Sequence, residues 1–303
     1  MQDIGNLNDL KKRLLRLNLE EINFDLKHSV DTKKYAYDPD SSLLAWEYYL
    51  VVYKDLLNVK NESDLFRENY RNTGFWIEGR MYKRIIGTFC YADDFGAKLA
   101  QWYLSDSPYL EVGKNIGVAG DCVFNFNEKK KKKFWKIIKA CDDNSYGEIL
   151  LLVAGLHHAA FNFSLMPMNG GLNLVKGRNV DDRPDVFLCK LSDVYDKEIK
   201  EKAFENIRGS NIVKNLGLNV RNKKSNDALI DFLFKIGSFE NYCKIFYHLD
   251  CSNAEEKSLV NDLITNAEND ISDLKDFIRY VELAVRYWEY QVDVYKKCVK
   301  KGN

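Results

Sequence analysis

Apolar residues recur at alternating steps of three and four positions along the C-terminal part of the chain. We call this set the heptad seam: Ile271, Leu274, Ile278, Val281, Val285, Trp288, Val292, Tyr295 and Val299. Such spacing places one apolar stripe on a long α-helix. Ser252 and Glu255 fit a capping box at its start, in which the two side chains accept opposite N–H groups. The pattern therefore predicts a long C-terminal helix within residues 252–303, packed on the body of the chain or on a second subunit.

Three earlier segments also carry structural patterns. Leu10, Leu14 and Leu17 have helical spacing, and residues 43–57 are apolar on nearly every side, which is typical of a buried helix. Residues 74–91 mix β-branched and aromatic residues with glycine, which predicts a strand pair or an irregular core segment. The predicted fold is mainly α (α+β): a helical body over residues 1–251 with a few short strands, and the long C-terminal helix.

The composition narrows the class of protein. Hydrophobic residues make up 46% of the 303 residues and charged residues 30%, which excludes disordered and fibrous proteins. The formal net charge is zero, so only a local basic patch could attract nucleic acid or an anionic membrane. The first residues do not form a basic segment followed by an apolar one, and every apolar stretch is short. We therefore expect neither a signal peptide nor a membrane span.

The cysteines indicate a reducing environment. There are seven of them, scattered along the chain without a C-x-x-C pair. A disulfide framework or a zinc site requires closer, paired spacing. We therefore expect reduced, mostly buried cysteines and a cytoplasmic location.

The segment from Gly155 to Leu188 carries the candidate chemistry. An apolar run whose composition suits a strand leads to two adjacent histidines, and asparagines, a proline and a Lys-Gly pair follow. The residues of interest are His157, His158, Asn162, Pro167, Asn173, Lys176, Gly177 and Arg178, and the segment ends in Asp182-Arg183-Pro184-Asp185-Val186-Phe187-Leu188.

From Pro167 onward this segment resembles the HNH (His-Me finger) nucleases. Their ββα-metal core often carries an N-L-x-P-L run, an asparagine on the following helix and a Lys-Gly ending. The resemblance implies that Asn173 binds Mg²⁺ or another divalent cation on the scissile phosphate. It also implies that His157 or His158 is the base that activates water, and that Asn162 orients this base.

The segment departs from the family pattern, and a purely structural alternative is open. Leu156 stands where the family usually has an acidic residue, and the short spacing from His158 to Phe163 leaves no room for a hairpin. Gly170-Gly171 falls where the family has a helix, which glycine disfavours. In the alternative, Asn169-Gly170 is part of a tight turn before a helix, and the two histidines belong to the core.

A lysine run is the second candidate for nucleic-acid binding. Residues 129–133 are all lysine and precede Phe134-Trp135. Basic residues next to aromatic ones can bind phosphates while an aromatic ring stacks on a base. The alternative is an amphipathic helix with a solvated lysine face. The predicted nucleic-acid-binding residues are Lys129, Lys130, Lys131, Lys132, Lys133, Lys176 and Arg178.

Other catalytic patterns are weaker or missing. Pro184-Asp185 followed by Glu198-Ile199-Lys200 fits the bare pattern of the PD-(D/E)xK nucleases, but that site needs its acidic residues on adjacent strands, and residues 197–203 have the composition of a charged helix. The glycines between Gly113 and Gly120 lack the Lys-Ser/Thr pair of a phosphate-binding loop, so no nucleotide cofactor is indicated.

Two functions from different classes follow from these patterns. The leading hypothesis is a protein that acts on DNA or RNA through a degenerate, divalent-cation-dependent HNH-like site. The aromatic-rich, proline-poor composition would suit a bacterial defence or mobile-element accessory protein. The alternative is a non-enzymatic interaction or scaffold protein that uses the heptad seam to form a homo-oligomer or to bind a partner helix. The sequence leaves open whether the protein is an enzyme.

Overall fold

A computed structural model describes residues 7–22, 43–57, 74–77, 80–88, 146–156, 159–167, 184–196, 232–269 and 273–302. Most of these residues are helical, and a long helix ends the chain, as the sequence predicts. The helices are α1 (Leu7–Asn18), α2 (Leu43–Val52), α3 (Lys54–Leu57), α4 (Gly147–Leu156), α5 (Pro184–Val194), α6 (Phe239–Phe246), α7 (Ala254–Asn266) and α8 (Leu274–Gly302). Residues 232–236 are helical as well. The strands are β1 (Gly74–Ile77), β2 (Arg80–Thr88) and β3 (Phe163–Pro167).

The N-terminal helix α1 forms because its leucines share one face. Leu10, Leu14 and Leu17 are buried, and the helix packs against α4 and α8. The guanidinium of Arg13 donates two hydrogen bonds to the carboxylate of Glu289, at 2.9 and 2.6 Å. This paired geometry fixes the register of α1 on α8.

The apolar segment 43–57 forms two helices, α2 and α3, that meet at Tyr53. Tyr48, Tyr49 and Tyr53 are buried, as expected for a segment that is apolar all round. The hydroxyl of Tyr53 donates to the backbone carbonyl of Phe246 at 2.7 Å. This bond ties the junction of α2 and α3 to the end of α6.

For residues 74–91 the sequence leaves open a strand pair or an irregular core segment; the structure has the strand pair β1 and β2, and β3 extends it into a sheet. β1 pairs with β2 in antiparallel fashion, and Gly74 lies opposite Lys83. β2 pairs with β3 in the same way, with Thr88 opposite Phe163 and Arg84 opposite Pro167. The order in this sheet is β1-β2-β3, so β3, which lies within the HNH-like segment, runs along β2.

The region predicted as one long helix contains two helices, α7 and α8. The residue that caps α7 also differs from the prediction. Asn253, not Ser252, takes the N-cap position, and its side chain accepts from the backbone N–H of Glu255 at 2.9 Å and of Glu256 at 3.4 Å. Ser252 instead donates its hydroxyl to Asp250 at 2.7 Å. Both residue types cap well, and the backbone path after Asp250 decides between them.

The heptad seam packs within the chain along the middle of α8. Ile278, Val281, Val285, Trp288 and Val292 are buried in a core that also includes residues of α1, α2, α4, α5, α6 and α7. Of the two predicted partners for the seam, the structure therefore shows the chain's own body. Among the described helices, none combines the length and the apolar character needed to cross a membrane.

Candidate functional site

The described part of the HNH-like segment begins with a helix. The composition of the apolar run before the histidines predicts a strand. This prediction was wrong, because the run forms helix α4. Leucine-rich runs without polar alternation do not distinguish a buried helix from a buried strand. After α4, the N–H of Ala159 donates to the carbonyl of Leu156 at 3.0 Å, and a 3₁₀ turn over Ala160–Asn162 leads into β3.

Most of the predicted site residues lie outside the described residues. This holds for the two candidate bases, the candidate metal ligand and all of the predicted nucleic-acid-binding residues: His157, His158, Asn173, Lys129, Lys130, Lys131, Lys132, Lys133, Lys176 and Arg178. Their assigned roles stay predictions. Asn162 is described.

Asn162 is a buried residue that joins the start of β3 to α8. Its Oδ1 accepts a hydrogen bond of 2.8 Å from the indole N–H of Trp288, and both side chains are almost completely buried. The ring of the preceding residue, Phe161, packs against the same indole with the ring centroids 6.1 Å apart. These contacts hold the start of β3 against α8.

The Asp-Arg-Pro-Asp end of the segment opens a helix. Pro184 is the first residue of α5, a position that suits its fixed φ and missing N–H. Asp185 is buried and accepts from the side-chain amide of Asn266 at 2.9 Å, which joins α5 to α7. The PD-(D/E)xK interpretation needs this aspartate on a strand, and the structure places it on a helix.

Within the described ranges, no three side chains of the histidine, cysteine, aspartate and glutamate types are grouped so that they could hold a metal ion. Oδ1 of Asn162 already accepts from Trp288. The role of Asn162 in orienting a histidine base stays a prediction, because both candidate histidines lie outside the described residues.

The structure adds a polar cluster around His248 that the sequence did not indicate. His248 lies between α6 and α7 with φ of 58°, in the left-handed region that few non-glycine residues adopt. The side-chain amide of Gln291 donates to the carbonyl of Tyr247 at 2.7 Å, and its Oε1 faces Nδ1 of His248 at 2.9 Å. Nε2 of His248 lies 3.1 Å from the carbonyl of Val52.

Two tyrosines complete this cluster and connect it to β3. The hydroxyl of Tyr290 donates to the carbonyl of His248 at 2.6 Å. The ring of Tyr53 packs on the imidazole with centroids 4.5 Å apart, and the N–H of Leu165 in β3 donates to the Tyr53 hydroxyl at 3.4 Å. The one sequence signal that could have pointed to the cluster is Gln291, a polar residue one position before Val292 of the heptad seam.

The electrostatics of His248 reflect two opposing effects. Burial lowers the pKa of His248, and the contacts with Gln291 and Val52 oppose this without cancelling it. Both ring nitrogens face oxygen acceptors, so a neutral imidazole satisfies one of them and an imidazolium both. Through these two contacts His248 joins the connection between α6 and α7 to α8 and to the end of α2.

Comparison with models of known protein families, with curated protein sequences and with solved structures returned no significant match.

Proposed function

We propose that the protein acts on nucleic acid through the HNH-like segment, as a divalent-cation-dependent nuclease with a degenerate site. The observation that supports this is the position of Pro167. It ends β3, a strand held in an antiparallel sheet by β2, and the chain then enters the Met168-Asn169-Gly170-Gly171-Leu172-Asn173 run. In the ββα core a paired strand also precedes the asparagine; here its partner is β2, which lies far earlier in the sequence.

In this proposal each residue has one role. Asn173 binds the divalent cation, which neutralises charge on the scissile phosphate. His157 or His158 removes a proton from the attacking water. Asn162, held by Trp288 at 2.8 Å, fixes the chain that leads from the histidines to β3.

The basic residues supply substrate affinity in the same proposal. The Lys129–Lys133 run, Lys176 and Arg178 contact phosphates, since a chain with no net charge needs a local basic patch to bind nucleic acid. Binding through phosphates depends on salt and is independent of base sequence. The substrate class is therefore DNA or RNA without a fixed sequence.

The interaction hypothesis receives less support from the geometry. The heptad seam from Ile278 to Val292 is buried within the chain, so this stretch of α8 has no apolar surface left for a second subunit or a partner helix. We therefore propose no second function for this helix.

The test is a cleavage assay with the full-length protein. Plasmid DNA and structured RNA are incubated with Mg²⁺, Mn²⁺ or EDTA, and a His157→Ala/His158→Ala double variant and Asn173→Ala are compared with His28→Ala, a histidine outside the segment. We expect metal-dependent cleavage that the double variant and Asn173→Ala lose and His28→Ala retains. Absence of cleavage with every metal, or equal cleavage by the double variant, overturns the proposal.

A further inference from the structure

Two thiols meet where the chain leaves α6. Cys243 lies in α6, and Cys251 lies in the turn before the N-cap of α7. The N–H groups of Tyr247 and Leu249 both donate to the carbonyl of Cys243, at 2.9 and 3.1 Å. The chain therefore folds back over the last turn of α6, and the side chain of Cys251 packs against the core that contains Cys243, with the two thiols as neighbours.

The two thiols differ in exposure. Cys243 is completely buried, whereas Cys251 is partly exposed, and both are free thiols. A small reagent in solution can therefore reach Cys251 first. Cys243 reacts only with a group that is brought to it, and the nearest such group is the sulfur of Cys251.

The thiols also differ in proton affinity. The neighbouring Cys243 thiol lowers the pKa of Cys251, whereas the neighbouring Cys251 thiol and burial raise the pKa of Cys243. Of the charged neighbours, Glu240 and Asp250 oppose ionisation of Cys251 and Lys257 favours it. The exposed thiol is thus the one that forms the nucleophilic thiolate.

We propose that Cys243 and Cys251 form a reversible oxidation site, which low-molecular-weight disulfides convert to an intrachain disulfide. The thiolate of Cys251 attacks one sulfur of the reagent, a mixed disulfide forms, and one reagent thiolate leaves and takes up a proton. Cys243 then loses its proton and attacks the Cys251 sulfur, which releases the second reagent thiol. The two protein thiols supply the two electrons that reduce the reagent disulfide to two thiols.

The new bond would lock the connection between α6 and α7. The turn from residue 247 to 250 lies inside the closed loop, and it carries His248 and the carbonyls that accept from Gln291 and Tyr290. Cross-linking removes conformations from the unfolded chain and so stabilises the folded one. We therefore expect oxidation to raise the melting temperature and reduction to reverse this.

The experiment follows the mass of the full-length protein after exposure to oxidised glutathione. Tryptic cleavage at Lys235, Lys244 and Lys257 separates the two cysteines into peptides 236–244 and 245–257, so the disulfide appears as a linked pair of peptides that a reducing agent separates. Variants Cys251→Ser and Cys243→Ser are compared with Cys298→Ser, whose cysteine lies in α8 and is also partly exposed. Circular dichroism checks that each variant is folded.

The three variants have different expected outcomes. The wild type and Cys298→Ser should give the linked peptides, with no glutathione left on the pair. Cys251→Ser should leave Cys243 unmodified, because its thiol is buried. Cys243→Ser should keep a stable glutathione adduct on Cys251, because no second thiol resolves it. A stable adduct on Cys251 in the wild type, or an unmodified Cys251, would overturn the proposal.

Discussion

The indole N–H of Trp288 and the side-chain oxygen of Asn162 are joined by a hydrogen bond of 2.8 Å across 126 positions of sequence. Trp288 is part of the heptad seam, and Asn162 belongs to the HNH-like segment. The bond therefore connects the most regular structural feature of the sequence to its leading candidate site. It also makes the position of β3 depend on α8.

Removal of this hydrogen bond should lower the stability of the protein, whether or not Asn162 has a role in catalysis. Asn162→Ala leaves the buried Trp288 N–H without its acceptor, and a buried donor of this kind costs about 1–3 kcal/mol of unfolding free energy. Trp288→Phe removes the donor, so Asn162→Ala in that background should cost less. Urea denaturation of the four proteins of this double-mutant cycle gives the coupling energy. Additive effects would show that the bond contributes nothing.

Two positions of the heptad seam, one in the middle of α8 and one near its C-terminal end, should respond differently to an introduced charge. Val285 is 0% exposed and Val299 is 38% exposed. Val285→Asp places a carboxylate in the core and should cost more than about 3 kcal/mol, whereas Val299→Asp should change stability by about 0.5 kcal/mol or less. Thermal unfolding measures both effects. A folded Val285→Asp protein whose mass by light scattering falls relative to the wild type would mean that the seam joins two subunits.

The sequence predicts well which face of a helix is buried, and poorly which distant residues that face contacts. The steps of three and four identify Val281, Val285 and Trp288 as buried because periodicity reports which side of a helix is apolar. Periodicity contains no information on which distant group meets that side. The contact of Gln291 with the His248 turn is of this kind, since its partners lie 43 and 44 positions away.

The same contrast between predictable residue types and unpredictable contacts holds at the candidate site. Residue types and spacing suggested a role for Asn162, but its bond to Trp288 depends on the packing of β3 against α8. In the apolar run before the histidines, polar residues recur neither at every second position nor at helical spacing. The hydrophobic pattern therefore could not show that this run is a helix. At α7, Ser252 and Asn253 are both good caps, and only the backbone path selects Asn253.

Two buried tyrosines of the aromatic core should respond oppositely to loss of the hydroxyl. The Tyr53 hydroxyl donates to the carbonyl of Phe246 at 2.7 Å, so Tyr53→Phe should lower the unfolding free energy by about 1 kcal/mol. The Tyr242 hydroxyl is buried and has no hydrogen-bond partner among the described residues. Tyr242→Phe should therefore leave stability unchanged or raise it by about 1 kcal/mol. Denaturant unfolding compares the two, and a clear loss in Tyr242→Phe would reveal a partner for that hydroxyl.

Acidification should weaken the fold through His248. Burial lowers its pKa in the folded protein, whereas the unfolded chain has the ordinary value of about 6.5. The unfolded state then binds more protons than the folded one as the pH falls through that value, so stability is lost on going below about pH 6.5. Carboxylates titrate mainly below about pH 5 and contribute little in this window.

The matched variant for this prediction is His248→Asn, because asparagine tolerates the positive φ of 58° at this position. It has no titratable group, so we expect its unfolding free energy to fall less than that of the wild type between about pH 7 and pH 5.5. Urea unfolding at several pH values gives both slopes, and the other histidines are common to both proteins. A wild type that gains stability on acidification relative to the variant would show that the two acceptors, Gln291 and Val52, outweigh burial and that His248 is held as the imidazolium.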